Sequence, residues 1–406
     1  MPHRSTRPRP PPLLAFLFSI ALVAPAACGG ARSEGVVPLA PPSHTSTPPT
    51  TKAVIAPTDD DAGGPATEVF ERAKLAMESS KWRLARTLFD RIVAAERAEA
   101  NGDAALSPMA RAASYNAALC SEQLDDTLDA RDRFKALATA ADASSDAIDA
   151  NLRRARLDVE LEDWSDLSQS SSGLLARTDV IPTDRAEALA LQAIALVEAK
   201  ELSSAEKDAD AAERLLFPQG DDTPAPPQNA AAYWFARGEV IRAKGALVSL
   251  NPPPPDFGVK MEARCQAILD AEDAYVEAIK TGQLRWAVRA GVRVASLYTA
   301  LHDDLIAIPA PKSATTDAKK DLFKGAMSLR YRILLEKGLG TLEHTLNLEP
   351  TTGVKSAWFA RAREARDALT KELEAEKASL KKLPYTEEQL QKALDDLSKP
   401  DPKTKT

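Results

Sequence analysis

Small and aromatic positions recur along the chain at helical spacing, and that recurrence predicts its elements. Ala73 is followed nine positions later by Trp82, three later by Ala85 and four later again by Phe89. Forty-five residues on, Ala118, Ala130 and Phe134 repeat the steps of twelve and four. Positions three and four apart share a helix face. Small residues at these steps let two antiparallel helices approach closely, and the aromatic one turn beyond fills the gap toward the next pair. The unit so specified is a helix-turn-helix hairpin, first over Ala66 to Arg97 and again over Met109 to Ala141.

The pattern continues with losses. A third first helix, Ala147 to Leu161, carries Ala155, with Trp164 nine positions on, but Leu167 and Ser171 stand where alanine and phenylalanine are expected, so this unit reads as degenerate. Asp184 to Leu216 restores the spacing with Ala193, Leu202, Ala205 and Ala209, and Thr183 or Asp184 is the expected helix cap. Pro218 to Pro227 reads as a surface loop. A fifth unit opens at Tyr233, with Gly238 and Gly245 seven apart; its second helix, marked by Ala271, Tyr275 and Ala278, is delayed by a Pro-rich insertion, 246–260, expected to project from the stack. Arg285 to Leu301 begins a sixth unit around Ala290 and Gly291, with Leu322 to Leu335 as a candidate partner. Ser356 to Leu380 reads as a long charged helix capping the array, and one short helix fits beyond Pro384 before a frayed end. The expected fold is all-α: a solenoid of five to six helix-turn-helix units over 66–301, C-terminal helices over 302–383, and a short helix with a disordered tail over 384–406.

The first 65 residues differ in kind. A basic, proline-rich start precedes the apolar run Leu13 to Ala24 (LLAFLFSIALVA). That run is shorter than the roughly 20 residues that cross a bilayer, so 1–27 reads as a signal peptide. Ala26-Ala27-Cys28-Gly29-Gly30 resembles the processing site of bacterial lipoproteins, and the resemblance implies that Cys28 becomes the lipidated amino terminus. Gly29 in place of an aspartate then points to the outer membrane, facing the periplasm. The alternative is cleavage after Ala26, releasing a soluble periplasmic protein. Residues 28–65, rich in Pro, Thr, Ser, Gly and Ala, cannot bury enough apolar surface to offset chain entropy and are expected to be a disordered tether.

Composition narrows the function. A chain of 406 residues outgrows a single core, and 17 glycines with no alternation of β-branched residues argue against sheets. The formal charge is −7, and removal of Arg4, Arg7 and Arg9 with the leader makes the product more acidic, a poor ligand for nucleic acid. No nucleophile elbow, phosphate loop or dinucleotide fingerprint is present. Only His302 and His344 fall in the folded body, and His302-Asp303-Asp304 sets its acids at steps that do not share a helix face, so no metal site, catalytic residue or cofactor is expected. Cys120 and Cys265, three repeats apart, are expected to be buried and unpaired.

The hairpin spacing resembles the tetratricopeptide repeat (TPR), with Ala73, Trp82, Ala85, Phe89, Ala118, Ala130, Phe134, Ala155, Trp164, Ala193, Ala205, Gly238, Gly245, Ala271 and Tyr275 as its signature positions. The resemblance implies an inner groove lined by first helices, which puts Phe70, Lys74, Tyr115, Arg156, Phe235 and Arg242 on the partner-binding side. Apolar rings beside charges of both signs suit a helix or extended peptide better than a small polar substrate. The segment from Trp286 through Leu297-Tyr298 and Pro309-Ala310-Pro311 looks like the envelope TPR proteins of bacterial adventurous gliding motility. The resulting expectation is a non-catalytic scaffold that binds envelope proteins or peptides and meets a membrane only through its lipid. The alternatives are an outer-membrane protein assembly factor and a repeat-bodied periplasmic enzyme.

Overall fold

The computed structural model describes residues 64–99, 106–139, 145–218, 225–349 and 356–397, all within the compact unit Asp59–Thr406. Cys28, the leader, the tether and the final residues lie outside the described residues. Fourteen helices and no strand are found among those described. They are α1 (Ala66–Glu78), α2 (Trp82–Glu99), α3 (Pro108–Gln123), α4 (Thr127–Thr139), α5 (Ser145–Leu161), α6 (Trp164–Ala176), α7 (Pro182–Glu198), α8 (Leu202–Leu216), α9 (Pro227–Ala246), α10 (Phe257–Lys280), α11 (Leu284–Ile306), α12 (Asp317–Leu346), α13 (Ala357–Lys382) and α14 (Glu387–Leu397). Helices α1 to α13 pack chiefly on their chain neighbours, α14 packs on α12, and first helices also meet the next unit's first helix, as α7 meets α9. That is the serial stacking of a helical repeat array.

One turn recurs. Ser80, Asp125, Glu162 and Lys200 adopt positive φ (54°, 63°, 56° and 65°), each two residues before the next helix begins. In all four the following amide reaches back five residues, Lys81 N to Ala76 O, Asp126 N to Ser121 O, Asp163 N to Asp158 O and Glu201 N to Leu196 O. This is the Schellman closure, which satisfies a helix's last carbonyls through one left-handed residue. The same position before α11 is Gly282, φ 74°. The left-handed residue thus reappears between α10 and α11, although there the Gln283 amide donates to the Thr281 hydroxyl at 3.3 Å, whereas the fifth unit's own helices are joined by the long loop 247–256.

The seams follow the sequence spacing. Ala73, Ala85, Phe89, Ala118, Ala130, Phe134, Ala155, Ala193, Ala205, Ala271 and Tyr275 are fully buried, and Trp82 and Trp164 are half-buried at the starts of second helices. Phe89 meets Phe70 edge-on at 5.4 Å between ring centres, and Phe134 meets Tyr115 at 5.5 Å, so one aromatic pair serves the same place in units one and two. Gly238 and Gly245 mark the closest approach of α9 to α10. A Cβ on Gly238 would stand 2.6 Å from the Tyr275 ring, and one on Gly245 2.7 Å from the Ala267 methyl.

Several expectations need correction. The third unit is a full hairpin: Leu167 and Ser171 are buried in α6, and the Ser171 hydroxyl lies 2.6 Å from the Leu167 carbonyl and 2.5 Å from Gln192 Oε1 of α7, which satisfies its polarity. Helix α7 starts at Pro182 behind Ile181, with no side-chain cap from Thr183 or Asp184; the proline fills the first position, where no amide is needed. The insertion does not project as a whole, because Leu250 is buried and the Asn251 amide donates to the Ala307 carbonyl at 3.3 Å. The 301/302 boundary falls inside α11. The partner helix placed at Leu322 to Leu335 spans Asp317–Leu346.

Candidate functional site

First helices α3, α5, α7 and α9 carry buried or half-buried carboxylates on the side where a TPR groove would lie, and most are answered by arginine. Glu187 of α7 receives both Nε and Nη2 of Arg156, from α5, at 2.6 and 2.7 Å, and a 3.0 Å bond from the Asn229 amide of α9. Glu239 of α9 is met by Arg242 at 2.7 Å, by Arg293 at 2.9 Å and by the Tyr275 hydroxyl at 2.6 Å. Burial pushes the Glu239 carboxyl up, but Arg293 and Arg242 outweigh it and hold it below the usual carboxylate range. Burial, reinforced by Glu239, raises the Tyr275 phenol well above its ordinary value.

The arginines on α11 are the unexpected element. Arg285, Arg289 and Arg293 are spaced four apart and so lie along one stripe of the helix. Arg285 donates to the Glu122 carbonyl at the end of α3 at 3.3 Å, Arg289 pairs with Glu160 of α5, and Arg293 pairs with Glu239 of α9. Helix α13 joins them. Its capping Ser356 donates to the other Glu160 oxygen, and Arg361 pairs with Glu162 at 2.8 Å. Trp358, buried, lies under Arg361, Arg293 and Arg289 with guanidinium carbons 4.6, 5.6 and 5.7 Å from the ring centre. Glu160 and Arg289 are each 2 % exposed. Burial drives the Glu160 carboxyl up, and Arg289, with Ser356 and Arg285, more than reverses it.

The C-terminal helices therefore lie across the first-helix face from unit two to unit five, joined to it by charge. Helix α13, expected as a solvent-facing cap, buries its first turn through Trp358 and Phe359.

This arrangement decides the fate of the groove residues. Phe235 is covered by Tyr275 and Trp286, with ring centres 5.6 and 5.2 Å away, so a residue expected to touch a partner is part of the core. Arg156 and Arg242 are engaged by Glu187 and Glu239. Tyr115, half-buried, donates to Asp149 and accepts a 2.8 Å bond from Arg153. Phe70 is half-buried against Phe89, and Lys74 is exposed and pairs with Glu71 one turn away at 3.1 Å. The clasp formed by Arg285, Arg289 and Arg293 is not legible in the sequence, because the spacing Arg285-x3-Arg289-x3-Arg293 becomes informative only once its carboxylates are located.

Elsewhere, a recess of about 570 Å³ between α6 and the end of α7 is lined by Trp164, Ser168, Gln169, Ser172, Glu198 and Glu201, and its lining holds no histidine, cysteine or lysine. Cys120 and Cys265 are free and buried, and burial pushes both thiols up to about 11, the reverse of what a reactive cysteine requires. No described helix is long and apolar enough to cross a membrane.

No family model matches the chain, and no curated protein matches it. Among solved structures it is similar to a tetratricopeptide repeat protein from Parabacteroides merdae ATCC 43184, at 14% identity over 75% of this chain and 98% of that one, with a TM-score of 0.38. It is also similar to a TPR repeats protein from Bacteroides fragilis NCTC 9343, at 12% identity over 58% of this chain and 99% of that one, with a TM-score of 0.26. Its own hairpins, their shared turn and their small-residue seams make the chain a TPR-like α-helical repeat protein.

Proposed function

We propose that the chain is a non-catalytic protein-interaction scaffold of the bacterial cell envelope, tethered through lipid on Cys28 to the outer membrane and facing the periplasm. The observation that carries the binding role is the division of the first-helix face. The arginine clasp reaches back to Glu122, and ahead of it α1 presents half-buried Phe70 and Met77 beside exposed Lys74. Apolar side chains seated on a packed hairpin, with a cation between them, suit a helix or extended peptide carrying an acidic residue. The lipoprotein-like Ala26-Ala27-Cys28 and the Pro-rich stretch after it support the location.

A photo-crosslinking residue at Lys74, with one at exposed Lys392 on α14 as control, tests the binding face in cells that make the protein. A discrete adduct from Lys74 that is absent from Lys392 is expected, and indistinguishable products from the two would reject the face. Palmitate labelling of wild type and Cys28→Ala tests the tether, which equal labelling would rule out.

A further inference from the structure

Where α11 meets α13, a buried histidine faces more negative charge than the protein neutralises there. His302 is 4 % exposed. Its Nδ1 lies 3.2 Å from an oxygen of Asp303 and 3.8 Å from one of Glu372, and the three atoms all fall within 4.8 Å of one another. Its Nε2 lies 3.4 Å from Glu376 Oε1, and the second Glu376 oxygen is buried with no hydrogen-bond partner. Among the described residues, Asp303 and Glu372 form their ion pairs with His302 alone. The sequence discounted this place because neighbouring helix positions diverge. The missing donor comes from α13, seventy positions away.

From this geometry we infer a divalent transition-metal site, of the kind filled by Zn²⁺, with His302 Nδ1, Asp303 and Glu372 as ligands. A carboxylate on the far nitrogen of an imidazole keeps the proton on that nitrogen and turns the other lone pair outward. Glu376 does this for Nε2, so the Nδ1 lone pair and two carboxylate oxygens converge, an arrangement that a cation relieves. Zinc bound at roughly 2.0–2.2 Å to nitrogen and oxygen places neighbouring tetrahedral ligands about 3.3–3.5 Å apart. The 3.2 Å separation meets this, and Glu372, 44 % exposed, needs only a small approach. Asp303 is 61 % exposed, which gives an ion access and leaves a coordination position for water. One imidazole with two carboxylates is a hard-to-borderline set that suits Zn²⁺, Ni²⁺ or Mn²⁺ rather than a thiophilic ion. A bound ion would fasten α13 to α11 at the end opposite the arginine clasp.

The test is calorimetric titration of the full chain with ZnCl₂, on wild type and on Asp303→Asn and Glu372→Gln, whose exposed side chains make misfolding a small risk; circular dichroism verifies helix content. Wild type is expected to bind one more equivalent than either variant, and its melting temperature to rise with zinc while theirs does not. Equal stoichiometry in all three, or no zinc-dependent melting shift in wild type, would overturn the site and leave a proton on Nδ1 as the neutralising charge.

Discussion

Arg289 and Glu160 lie 129 positions apart in the chain and form an ion pair from which solvent is excluded, with Ser356 bonding to the other oxygen of the same carboxylate. Three separate stretches thus converge on one glutamate. Removing one member of such a pair strands a buried charge, a loss on the order of 3–5 kcal/mol. Arg289→Met or Glu160→Gln alone should each destabilise the protein by that order in urea unfolding, and the double variant should recover much of the loss. Additive losses would show that the two side chains do not depend on one another.

Asp158, fully buried on α5 beside Arg154 and Ser170, has its carboxyl pushed up to about 7, first by burial and further by Asp166, against the pull of Arg154. A folded-state value above the ordinary carboxylate range means that the native protein holds the proton longer than the unfolded chain does. Stability therefore falls as pH rises from about 4 to 7 and changes little beyond. Asp158→Asn removes that dependence. Its melting temperature should exceed wild type clearly at pH 8 and hardly at pH 5; a constant difference across that range would contradict the assignment.

Gly238 and Gly340 give opposite expectations for the same substitution. At Gly238 a methyl would collide with the Tyr275 ring, whose hydroxyl is held by Glu239, so Gly238→Ala should cost about 1–3 kcal/mol. At Gly340, within α12, a methyl meets nothing within 4 Å, and Gly340→Ala should gain about 0.5–1 kcal/mol from helix propensity. Thermal unfolding of the two variants reads the difference directly.

The recurrent turn supports a further pair. Lys200 holds a left-handed backbone with a side chain, at a cost of about 1 kcal/mol, so Lys200→Gly should raise stability by up to that amount. Gly282 holds the same conformation with open space around it, so Gly282→Ala should lose a similar amount through the backbone alone. Equal effects of the same sign would mean that the two turns are not equivalent.

What could be read from the residues was what adjacent helices do to one another. The steps from Ala73 to Phe89 and from Ala118 to Phe134 fix a hairpin within a few turns of chain, and the Gly238 and Gly245 spacing signals a close approach because only the facing helix can fill it. The third unit is less legible because Ser171 finds its acceptors on its own helix and on Gln192 of the next, which composition does not reveal. The burial of Phe235 is hidden from the sequence for a different reason. Its cover, Trp286, belongs to a helix that begins a new unit in the sequence yet packs back across an earlier one. A carboxylate and an arginine 129 residues apart carry no spacing rule that joins them, and neither do His302 and Glu372.

The return of α11 and α13 onto the middle of the molecule makes tolerance of length change unequal along the chain. An extra hairpin spliced in before α1 would leave every tie between the halves in place. One spliced in between Leu161 and Leu284 would carry Glu160 away from Arg289, so growth by duplication, ordinarily open to such arrays anywhere, is barred here from the tied middle.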